Sequence, residues 1–152
     1  MRDALSLFLH DLGRRPFSWG KTDCLMILAD WWQVRTGSDP ASGFRGSYRD
    51  ERGARDVMRK RGGILKHVEG CLAAAGARRC SQPVRGDVGL VRAAVEMRSR
   101  LVFVPVGAIC MGPRLWAIKD KTGLAAGDFQ PIQAWTENGG DGRPHPADDT
   151  GC

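Results

Sequence analysis

The sequence predicts an α+β domain, with helices first and a small antiparallel sheet after them. Three observations carry this prediction. Apolar residues in the first half recur at helical spacing and are interrupted by Gly and Pro. After Pro83 the pattern changes to short runs rich in Val, Ile and Phe, separated by turns. No internal repeat offers a different architecture.

Taken in order, Leu5, Phe8, Leu9 and Leu12 follow the i, i+3, i+4, i+7 spacing of an amphipathic helix, closed by Gly13 and Pro16. Thr22 or Asp23 can cap a second helix running to about Arg35, before Gly37. Leu25-Met26-Ile27-Leu28-Ala29 makes that helix apolar nearly all round, which predicts the central buried helix. A third helix fits 50–61, stopped by Gly62-Gly63. A fourth fits 64–75, with Leu65, Val68 and Leu72 on one face and Gly76 as its stop. Gly86-Asp87-Val88-Gly89-Leu90-Val91 reads as a turn and a strand. Residues 101–111 give the strongest strand signal, and Gly112-Pro113 breaks it. Leu115-Trp116-Ala117-Ile118 is a third strand, followed by an Asp120-Lys121-Thr122-Gly123 turn, and a fourth lies near 129–135. Residues 137–152 are polar, rich in Gly, Pro and acidic side chains, and read as a tail without a core of its own.

At 152 residues the chain predicts one domain with a real core. Its longest apolar run is far short of the ~20 residues that span a bilayer. The N-terminus lacks the unbroken apolar core of a signal peptide, which points to a cytosolic start. Net charge is +6, but the basic residues are dispersed and no nucleic-acid motif is present, so a nucleic-acid partner is not expected. Arg52, Arg55 and Arg59 share a helical face that reads as solvated. The five cysteines include no Cys-x-x-Cys pair and have no adjacent His. Reduced thiols are expected, with no metal site and no cofactor.

Cys24 is the candidate nucleophile. It stands where the Gly20-Lys21-Thr22-Asp23 turn meets the apolar helix, so unpaired backbone N–H groups and the helix dipole should favour its thiolate. A small buried hydrophobe is the alternative reading of the same residue. Asp23 is a candidate local base or, alternatively, a helix cap. Trp19 and Gly20, just before Cys24, are candidates to line a binding groove. The other tryptophans read as core or rim packing. Asp87 could enter a site or simply begin a strand, and Gly107 within a strand predicts a bulge or a close backbone approach.

Several blocks occur in a characteristic order: Phe17-Ser18-Trp19-Gly20-x-x-Asp23-Cys24, Phe44-Arg45-Gly46-x-Tyr48, Gly86-Asp87-Val88, Val106-Gly107-Ala108-Ile109-Cys110-Met111-Gly112, and Ala134-Trp135. Together they resemble a small family encoded by tailed phages and gene transfer agents, itself similar to the NlpC-type cell-wall peptidases. The resemblance covers residues 1–136. It implies a papain-like fold with Cys24 at the start of the central helix and the sheet behind it. It also implies a component of the virion tail tip, made in the bacterial host cytoplasm, whose partners are other tail-hub proteins.

Enzymes of that wider group carry a His just before a Val-Gly-Ile stretch and a polar residue on the next strand. Here Pro105 stands at the first place and Trp116 or Ala117 near the second. A proline accepts no proton. His10, His67 and His145 are the remaining imidazoles, and each reads as a surface residue. The resemblance therefore implies a structural tail-tip protein with a degenerate peptidase site. The alternative is an active cysteine peptidase or amidase that cuts peptidoglycan stem peptides during DNA entry.

Overall fold

The computed structural model describes residues 3–137. Four helices, α1 (Ala4–Arg14), α2 (Met26–Thr36), α3 (Glu51–Lys60) and α4 (Ile64–Ala74), precede six strands. These are β1 (Ala77–Cys80), β2 (Val88–Met97), β3 (Arg100–Gly112), β4 (Leu115–Asp120), β5 (Gly123–Gly127) and β6 (Gln130–Glu137). The strands form one sheet in the order β1-β6-β2-β3-β4-β5, with every neighbouring pair antiparallel. The α+β class expected from the sequence is the one observed, with two strands more than expected. Past Glu137, the expected polar tail lies outside the described residues, as does His145.

Each helix has a local cause. In α1, Asp3 caps the N-terminus by accepting the Ser6 N–H at 2.8 Å, and Leu5, Leu9 and Leu12 form the buried stripe. α2 buries Met26 to Ala29, Trp31 and Trp32, and ends on Gly37 at φ 85°. In α4 the buried face is His67, Val68 and Leu72, whereas Leu65 is exposed. This corrects the expected face by a rotation that turns a histidine inward.

The helices cover one face of the sheet. Leu9, Leu12, Ile27, Trp32, Leu72 and Trp135 belong to the cluster between the layers, together with Val88, Leu90 and Ile109 of the central strands. The alternate residues Val106, Ala108 and Cys110 of β3, with Trp116 and Ile118 of β4, form a second cluster on the opposite face.

Two buried charges tie the layers. Lys119 of β4 donates to the carbonyls of Leu12, at 3.2 Å, and Arg15, at 2.5 Å, closing the C-terminus of α1 with a cation. Asp87, fully buried ahead of β2, accepts from Arg35 of α2 at 3.1 Å, from Thr136 of β6 at 2.7 Å and from the Val84 N–H at 2.9 Å. Arg35 also pairs with Glu137 at 2.6 Å. Asp87 is thus a structural anchor rather than a free site carboxylate. Cys24, Cys71 and Cys110 are free thiols, as expected.

β2 and β3 are joined by the two-residue turn Arg98-Ser99, with φ of 51° and 64°. Both positions are left-handed, the conformation that Asn-Gly adopts at low cost in such hairpins. Replacing Arg98-Ser99 with Asn-Gly should stabilise the domain by about 1 kcal/mol and raise the melting midpoint by about 2–4 °C in thermal unfolding.

Candidate functional site

The segment ahead of α2 is a tight loop. Ser18 and Thr22 exchange backbone hydrogen bonds of 3.0 and 2.8 Å, leaving Trp19-Gly20-Lys21 at its tip. Asp23 follows, buried, and its carboxylate is fully engaged. Oδ2 accepts the Gly20 N–H and the Tyr48 hydroxyl, each at 2.8 Å, and Oδ1 accepts the N–H groups of Leu25 and Met26, each at 2.9 Å. Its backbone carbonyl takes the Ile27 N–H at 3.1 Å. The capping reading of Asp23 is therefore the observed one. With four donors on two oxygens, it is not placed as a base for Cys24.

Gly20 is held in the same way. Its φ is 80°, its carbonyl accepts the Gly46 N–H at 3.0 Å, and a Cβ there would stand 2.3 Å from the Tyr48 carbonyl oxygen. Gly20 thus lets two loops touch. Trp19 is half-buried, edge-on to Phe17 at 5.0 Å. The Phe44-Arg45-Gly46-x-Tyr48 block proves to be the other half of this clamp. Arg45 bridges Asp30 and Asp39, both at 2.8 Å, Gly46 reaches Gly20, and Tyr48 reaches Asp23. Burial and the Asp23 charge push the Tyr48 hydroxyl well above its ordinary range, so it remains a donor.

Cys24 sits between this clamp and the sheet. The expected close approach at Gly107 is observed: a Cβ there would come within 2.0 Å of the Cys24 carbonyl oxygen. The N–H groups of Gly107, Cys24 and Leu25 face the thiol and lower its pKa, but burial outweighs them. With the Asp23 carboxylate acting in the same direction as burial, the thiol is pushed up to about 11. Burial thus opposes the thiolate that the helix start favours. Loss of water around the sulfur costs more than the helix start returns.

The partner positions are equally clear. Pro105 lies two residues before Gly107, on the same face of β3, exposed and paired with Arg92. Trp116 and Ala117 are buried, and Trp116 would meet a Cβ on Gly89 at 3.0 Å. His10 is exposed on α1. His67 is buried on α4 rather than at the surface, with Nε2 3.9 Å from Cys71 Sγ. Among the described residues no imidazole hydrogen-bonds Cys24, and no group of three or more His, Cys, Asp or Glu could hold a metal ion. No helix among them is long and apolar enough to cross a membrane.

Fold and site define an α+β domain with a half-buried thiol at the entry to its central helix, beside a clamp built on a carboxylate and against a strand glycine. Residues 1–136 match a family described as a domain of unknown function, DUF6950, and the chain belongs to that family. No curated protein and no solved structure matches it.

The clamp predicts two unequal losses. Asp23→Ala leaves two buried N–H groups, a part-buried one and a buried hydroxyl without acceptors, and should cost about 2–4 kcal/mol in urea unfolding. Gly107→Ala drives a methyl group into the Cys24 backbone and should destabilise more than Gly43→Ala, where no atom lies within 4 Å of the new Cβ.

Proposed function

We propose that this protein is a structural, hub-associated component of the tail tip of a tailed phage or gene transfer agent. In this reading it has a papain-like, NlpC-type fold whose peptidase site is degenerate. The observation that carries the reading is the state of Cys24: a thiol pushed up to about 11, with a proline where the base belongs. The order of elements supports the fold assignment, since a thiol ahead of the central helix packs on a strand of a following antiparallel sheet.

An assembly role also fits the surface. Beyond Pro105, β2 and β3 continue as a two-stranded ribbon whose exposed face carries Leu101, 75% exposed, and Phe103, 68% exposed. Glu96 lies across from Leu101 and Arg92 across from Pro105, so the rim of this face carries both signs of charge. An apolar face of this kind on a small domain is a contact surface for a neighbouring protein, here a tail-hub protein.

The second reading, an active peptidase or amidase acting on peptidoglycan, is favoured by one observation. The backbone N–H groups of Gly107 and Leu25 act on the thiol of Cys24 in the direction that favours its anion. Such groups can hold an oxyanion as well as a thiolate.

Purified peptidoglycan should yield the same muropeptides after incubation with wild type, with Cys24→Ala or with buffer. New fragments that appear with wild type and vanish with Cys24→Ala would establish the second reading and end the first. In reconstitution with tail-hub proteins, Leu101→Ser/Phe103→Ser should keep the melting midpoint within about 2 °C, since surface changes cost little, yet lose co-purification with the hub.

A further inference from the structure

A thiol–imidazole pair is present in this chain, but on α4 rather than at the start of α2. His67 and Cys71 are four residues apart on one helical face, with Cys71 Sγ 3.9 Å from His67 Nε2. Cys71 is free and half-buried. His67 is 7% exposed, and its Nδ1 has no hydrogen-bond partner among the described residues. A ring nitrogen buried this deeply without a partner is uncommon and calls for a bound polar atom.

Both residues line a cavity of about 40 Å³ between α2, α4 and the loop of residues 40–48. Cys71 also lines an adjoining groove of about 310 Å³, which meets the cavity at Pro40, Phe44 and Cys71. The groove holds Arg61, whose Cζ lies 4.9 Å from the centroid of Phe44, and Phe44 in turn stands edge-on to His67 at 4.6 Å. Asp39 borders the groove, but Arg45 engages both of its oxygens at 2.8 and 3.0 Å. Arg61 makes no ion pair among the described residues, so the free charge of the groove is positive.

We propose that this groove is a second thiol site. Cys71 is its nucleophile, His67 takes the thiol proton, and Arg61 receives the carboxylate of a small electrophilic ligand. The site is independent of the reading of Cys24. In the step, Cys71 Sγ forms a bond to the electrophilic carbon of the ligand. The bond from that carbon to its leaving group breaks, and the leaving group departs with the electron pair. The thiol proton passes to His67 Nε2 and then to water. Burial raises the Cys71 thiol, and burial together with the Arg61 charge lowers the His67 imidazole; both directions favour the neutral pair, so the proton moves during the step rather than before it.

Iodoacetate and its neutral analogue iodoacetamide are suitable probes. The full chain is treated with each at pH 7.5, and modification of Cys24, Cys71 and Cys110 is followed by peptide mass spectrometry. Cys71 should react about tenfold or more faster than Cys24, and His67→Gln should slow Cys71 by about tenfold without changing Cys110. Arg61→Gln, an exposed change, should lower the iodoacetate-to-iodoacetamide rate ratio at Cys71 by about threefold or more. If His67→Gln fails to fold by circular dichroism, the Arg61→Gln ratio decides. An unchanged ratio in Arg61→Gln, an unchanged Cys71 rate in folded His67→Gln, or faster reaction at Cys24 overturns the site.

Discussion

The buried carboxylate of Asp23 is the interaction on which the site depends. It is placed at the junction of three chain segments: the loop at Gly20, the first turn into α2, and the loop ending at Tyr48. Each of its hydrogen bonds satisfies a donor that would otherwise be buried without a partner. A buried carboxylate is costly unless its lone pairs are filled, and here the same four donors both meet that cost and fix the geometry. The position of Cys24 follows from this, one residue on, with little freedom to turn away from β3.

The contact with β3 imposes the second constraint. Gly107 has no side chain because the Cys24 carbonyl occupies that space. The approach brings a backbone N–H to the sulfur and at the same time strips water from it. These two effects oppose each other on the thiol, and desolvation is the larger. An imidazole would reverse the balance only if it stood near the sulfur and became charged. Pro105 on the same face of the strand supplies neither charge nor acceptor. Packing that would serve a catalytic thiol thus protects a neutral one.

Much of this was legible in the sequence because it rests on local rules. The stripe of α1, the glycine stop of α2, the capping by Asp23 and the close approach at Gly107 each follow from residue type and spacing. What escaped depends on distant partners. The long β2–β3 hairpin carries no turn signal, because Arg98-Ser99 is not a turn-forming pair. β1, with its sequence Ala-Arg-Arg-Cys, carries no strand signal and is a strand only because β6 pairs with it. The inward turn of His67 is set by Phe44, more than twenty residues away. The Asp87–Arg35 pair likewise joins residues fifty-two apart.

The contrast between Cys24 and Cys71 shows why residue type alone does not locate chemistry. Cys24 has the favourable address, with a helix start, backbone donors and a glycine strand, but its nearest charge is the carboxylate of Asp23, which opposes thiolate formation. Cys71 has an unremarkable position near the end of α4, yet a helical spacing of four brings an imidazole to it, and the nearest free charge is the guanidinium of Arg61, which lowers the thiol's pKa. Burial raises both thiols. The difference lies in the sign of the neighbouring charge and in whether a proton acceptor is within reach. By that criterion the position of a cysteine at a helix start is weaker evidence of reactivity than the groups packed around its sulfur.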